Sequence, residues 1–153
     1  MSGYVLLDRF SPVLVLRRTG PVDVEAASHL RDSVNRHLRA SSVPVSVVYD
    51  VVPGARGAPD AAVRKVLGEW MKAEDALLRR RCASVEFAFP SAVSRGVLTA
   101  ILWMGDPPMP TGVHGTARAA VEAALRRAER PTAAAGEILR AADALVRQSS
   151  ATG

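Results

Sequence analysis

The chain has 153 residues, 48% hydrophobic and 23% charged, which suits one globular domain and excludes wholesale disorder. Its single cysteine, Cys82, excludes an intrachain disulfide and a multi-cysteine metal site, so a reducing cytoplasmic compartment is expected. The net charge of +5 comes mostly from arginines spread over several elements without interleaved aromatics, a pattern of solvated helix faces rather than a nucleic-acid surface.

Tyr4 to Asp8 and Val13 to Arg18 are short apolar runs parted by Ser11-Pro12, which predicts a β-hairpin or a bent strand pair. Asp8, Arg9, Arg17 and Arg18 interrupt these apolar residues, so no secretory signal is expected here. Gly20-Pro21 opens a helix, with Pro21 suited to a first turn and Asp23 and Glu25 complementing the dipole. Ala27, Leu30, Val34 and Leu38 form its buried stripe.

Val45 to Val52 is nearly continuous in apolar and β-branched residues, as expected of a parallel strand buried on both faces. Asp50 lies near its carboxyl end, where open α/β sheets place ligands and partners. A loop from Pro53 to Pro59 follows, and Asp60 can cap a helix that runs on to Arg79-Arg80-Arg81. Ala83 to Phe89 alternates Val85, Phe87 and Phe89 with Ser84, Glu86 and Ala88, a strand pattern.

Residues 92–104 form an apolar helix, either sandwiched in the core or part of an interface. The uncharged apolar stretch from Gly96 to Gly105 is ten residues, about half a membrane span, so no span is expected. Gly112-Val113-His114 reads as a short edge strand, and Thr116 can cap a helix ending near Arg130. Ala133 to Arg147 is a further helix, followed by a polar end that should fray from Gln148. Its stripe of Ile138, Leu139, Ala142 and Leu145 must dock, on its own domain or across a two-fold axis in a homodimer.

The expected fold class is α/β: a mixed, mostly parallel sheet of four to five strands flanked by helices, with an extra C-terminal helix. Residues 1–131 make the α/β domain and residues 132–153 the helical tail.

Val13 to Leu16 followed by Gly20 to Asp23, the strand ending Val48-Tyr49-Asp50, and the strand from Val85 to Phe89 resemble the STAS domains, in particular the bacterial SpoIIAA-like group. The resemblance covers roughly residues 4 to 130. It implies a non-enzymatic signalling module that binds a protein partner through the loop and helix after the central strand. In signalling members a Ser or Thr at the start of that helix is phosphorylated. Residues 51–62 contain neither, so the usual switch is missing.

The expected contact surface is Asp50, Pro53, Gly54, Arg56 and Arg64. The alternative is a small-molecule or lipid-binding domain in which Trp103, Met104 and Met109 line an apolar pocket or interface. Asp50 has only Asp60 as a nearby titratable group, and Asp60 is explained as a cap, so no catalytic pair is evident. Cys82 follows three arginines, yet no His or Asn/Asp constellation marks it as a nucleophile. His29 and His37 sit two helical turns apart, too far to share one metal, and His114 lies beside the edge strand. No cofactor or metal is expected.

Overall fold

The computed structural model describes residues 3–55, 60–92, 95–96 and 106–152. Five strands form one sheet in the order in which the chain makes them: β1 (Tyr4–Leu7), β2 (Val13–Arg18), β3 (Val45–Val51), β4 (Cys82–Ala88) and β5 (Thr111–His114). The β1–β2 pair is antiparallel, and each later strand is parallel to the one before it. The hairpin read from Ser11-Pro12 is present, and that peptide bond is cis. All six residues of β2 are buried, and β3 lies between β2 and β4, covered on both faces. Its β-branched run therefore does what the sequence implied.

Five helices are seen among the described residues: α1 (Val24–Ala40), α2 (Ala61–Ala73), α3 (Asp75–Arg81), α4 (Ala117–Arg127) and α5 (Ala135–Ala151). On one face of the sheet, Leu14, Val45 and Val47 meet Val34 and Leu38 of α1 and Leu77 and Leu78 of α3. Met109, which the sequence placed at a pocket or interface, is buried in this same cluster. On the other face, Val13, Val15, Val48 and Ala88 meet Ala120, Val121, Ala124 and Leu125 of α4 and Ala135, Ile138, Ala141 and Ala142 of α5. Alanine leaves little side chain between helix and strand, so these helices approach the sheet closely. The C-terminal helix thus docks on its own sheet.

Helix starts follow the chemistry of their caps. Asp23 Oδ1 accepts from Ala26 N at 2.8 Å, Asp60 Oδ1 from Val63 N at 2.8 Å, and Thr116 Oγ1 from Ala119 N at 3.1 Å. Each such cap stabilises its helix by about 1 kcal/mol. Because Asp23 takes the cap position, Pro21 stands before α1 rather than in its first turn.

Two expectations need correction. The helix after Asp60 is not continuous to Arg81: it breaks at Glu74, whose φ and ψ are −107° and 24°. There the Glu74 carboxylate meets Arg39 of α1 at 3.0 Å, and α3 turns to bury Leu77 and Leu78. The C-terminal helix, in turn, runs from Ala135 past Arg147 to Ala151. Ser150 Oγ donates to Val146 O at 3.1 Å and Thr152 Oγ1 to Gln148 O at 3.3 Å, satisfying carbonyls of the last turns. Of the helix proposed over residues 92–104, Ala92, Arg95 and Gly96 are described and helical, whereas Trp103 and Met104 lie outside the described residues.

Ile138 is 1% exposed at the centre of the α4–α5 face. Ile138→Ala should therefore lower unfolding free energy by about 2–5 kcal/mol, measured by urea denaturation. A loss under about 0.5 kcal/mol would mean that α5 does not rest on the sheet in solution.

Candidate functional site

The carboxyl ends of β2 and β3 carry two pairs of polar residues, and strand alternation sends them to opposite faces. Arg17 and Asp50, which stand opposite each other in the sheet register, face α4 and α5. Arg18 and Tyr49 face α1 and α2, where they line a pocket of about 210 Å³. Leu16 and the strand residues Arg18 and Tyr49 supply its floor; Ala27 and Leu30 of α1 and Val63 and Leu67 of α2 supply its walls. Tyr4, Pro21, Val22 and Asp60 complete the described rim.

Arg18 is buried, and its Nε donates to Gly20 O at 2.9 Å, which fixes the plane of the guanidinium. Burial pushes the Tyr49 phenol above its usual value, against a smaller lowering by the Arg18 charge and hydrogen bond. Tyr4 is shifted the same way by burial. Tyr49 also sits in an aromatic group, 5.8 Å from Phe87 and 6.1 Å from Phe89 between ring centroids.

The residues expected to form one contact surface do not all lie together. Pro53 and Gly54 form an exposed turn closed by Ala55 N donating to Val52 O at 3.1 Å. Gly54 has φ of 93°, a left-handed conformation in which a side chain would be strained. Arg64 is exposed on α2 close by in the chain. Asp50 instead points into the molecule, with Arg17 Nε 2.8 Å from its Oδ2. The N–H is not aligned with that contact, so the pair is an ion pair rather than a good hydrogen bond. Asp143 of α5 approaches the same guanidinium from the helix layer. Arg56 lies outside the described residues.

A second polar group joins β4, β5 and α4. Glu86, 2% exposed, places Oε2 at 2.8 Å from His114 Nε2 and Oε1 at 3.7 Å from Arg127 Nε. Gly112 pairs with Glu86 in the sheet, and a Cβ there would collide with the carboxylate. A shallow cavity of about 340 Å³ opens beside it, lined by Gly112, His114, Ala123, Arg126 and Arg127. Sequence reasoning singled out His114 and missed Glu86. The available signal was a Glu in an otherwise apolar strand facing a Gly-containing edge strand.

Among the described residues, no three His, Cys, Asp or Glu side chains gather as a metal site. Among them too, no helix is long and apolar enough to cross a membrane. The chain matches no protein-family model, no curated protein and no solved structure. What the fold defines is an α/β protein with a five-stranded mixed sheet flanked by helices.

Cys82 is buried, and desolvation pushes its thiol up to about 12. Native protein at pH 8 should therefore react with a disulfide reagent far more slowly than urea-unfolded protein. Equal rates would show the thiol to be reachable and acidic.

Burial raises Asp50 above its usual 3.8, outweighing the lowering by Arg17 and the Val51 N–H; Asp143 adds to the rise. The folded state thus holds this proton more tightly than the unfolded state. Its stabilising effect is complete below 3.8 and disappears as pH rises through the higher folded value. The wild type should lose stability relative to Asp50→Asn over that rise, read from urea midpoints at stepped pH. The opposite slope would mean that Arg17 dominates the site.

Proposed function

We propose that this chain is a non-catalytic, STAS-like interaction module whose contact surface is the Pro53-Gly54 turn and the outer side of α2. The observation that carries this reading is the incomplete burial of α2. Only Val63 of its residues is buried, while Val66, Leu67, Trp70 and Met71 are half-covered. Trp70 does anchor inward, with Nε1 donating to Asn35 Oδ1 at 2.8 Å. Arg64 and Lys65 are exposed on the same helix and give the surface a positive rim.

A half-covered apolar strip with a basic border suits a protein partner that brings apolar side chains and carboxylates. Residues 51–62 contain no Ser or Thr, so this module works without a phosphorylated hydroxyl in that segment. The mixed sheet, the helix following β3 and the exposed turn between them support the family reading proposed from the sequence.

A photo-crosslinking residue placed at Arg64 in cells of the source organism should yield a discrete protein adduct. The same residue at Arg140, on the opposite helix layer, should not. With the captured partner purified, Arg64→Glu combined with Lys65→Glu should slow association and flatten its dependence on salt. Equal adducts from both positions, or unchanged association kinetics, would remove this surface from the function.

A further inference from the structure

We propose that the pocket between α1, α2 and the ends of β2 and β3 binds a small uncharged aromatic molecule. The proposal concerns a free ligand and stands whether or not the outer side of α2 meets a protein.

The polar groups around the pocket are already spent inside the protein, and that decides the charge of the occupant. Arg18 Nε donates to Gly20 O at 2.9 Å, and the same guanidinium donates to the Tyr49 phenol oxygen. Asp60 Oδ1 accepts from Val63 N at 2.8 Å, so this carboxylate serves the start of α2. Tyr4 is engaged within the protein as well. What the described lining leaves for an occupant is hydrocarbon, supplied by Leu16, Ala27, Leu30, Val63 and Leu67. A charged molecule entering here would give up its water without gaining a counter-charge, so the site selects against either sign.

Size and shape narrow the class further. Protein interiors pack as densely as organic crystals, with few voids larger than a water molecule, so an open apolar space of about 210 Å³ stands out. It exceeds the roughly 150 Å³ of an apolar cavity that takes benzene, and falls below the range of about 300–1,000 Å³ usual for drug-sized ligands. Leu30 and Leu67, on facing walls, are only half-covered, and an apolar occupant would complete their burial. Pro21 and Asp60 are exposed at the rim, which gives a ligand its way in.

Tyr49 favours an aromatic body over an aliphatic one. It lines the pocket, and its ring lies 5.8 Å from Phe87 and 6.1 Å from Phe89 between centroids, tilted by 54° and 49°. A further ring against Tyr49 would extend an aromatic group that the strands have already assembled. The location fits too, since ligands of open α/β sheets lie beyond the carboxyl ends of parallel strands.

The experiment is a titration of the full chain with benzyl alcohol, followed by amide NMR shifts. Benzoate, benzylamine and cyclohexylmethanol serve as matched anionic, cationic and aliphatic probes. Benzyl alcohol should give saturable shifts at pocket residues such as Leu30, Tyr49, Val63 and Leu67. Benzoate and benzylamine should both bind at least about tenfold more weakly, and cyclohexylmethanol at least about twofold more weakly. Leu67→Trp and Leu30→Trp, each at a half-covered wall position, should fill the space and weaken benzyl alcohol by at least about tenfold with the remaining spectrum preserved. Shifts that do not saturate, equal affinity for benzoate or benzylamine, equal affinity for cyclohexylmethanol, or unchanged affinity in both filled variants would each overturn the proposal.

Discussion

The guanidinium of Arg17 is a charge inside a strand made otherwise of Val, Leu and Arg18, and much of the architecture answers to it. It is 6% exposed, and a buried charge is costly unless paired, so a counter-charge must come to it. Asp50 supplies one from the directly opposed position on β3, and Asp143 supplies another from α5. A slip of one residue would set Arg17 beside Tyr49 or Val51, leaving a buried charge unanswered. The pair therefore does more to specify register than to add stability, since desolvation consumes most of its Coulomb gain. The same guanidinium ties the last helix to the second strand across 126 residues of chain.

The layer over that ion pair shows how alanine-rich helices change what a sheet can bury. Ser46 and Ser84 are fully enclosed, with their hydroxyl oxygens 3.2 Å apart, and Glu86 is enclosed beside them. Small helix residues bring backbone close to the strands and leave no water to serve these groups, so each must find a protein partner. The opposite layer uses leucine and larger residues, and there Val85, Phe87 and Phe89 remain half-covered. In β4 the polar side of the alternation is therefore the drier one.

That inversion marks the boundary of what local sequence can reveal. Alternation in Val85 to Phe89 separates two faces but contains nothing about how closely a distant helix approaches either. The positions of the strands, the caps at Asp60 and Thr116, and the edge strand at His114 were legible because their causes lie within a few residues. The break at Glu74 was not, because it depends on Arg39 and on α3 finding α1. Asp50 was correctly placed at a strand end, yet its direction depends on Arg17 and on a helix beginning 85 residues later. Arg18 and Tyr49 were visible only as strand residues. Their convergence on one pocket required knowing that β2 and β3 are neighbours.

The sheet's strand order has a consequence for how the chain is made. Each strand hydrogen-bonds to the strand synthesised just before it, so every addition finds its template already present. Growth can proceed outward from the N-terminal hairpin as the polypeptide emerges, with only modest loop closures at each step. Until α5 leaves the ribosome, however, the Val13, Val15 and Val48 side of the sheet lacks part of its cover. The nascent protein thus carries an open apolar flank through most of its synthesis, and its last helix closes that flank.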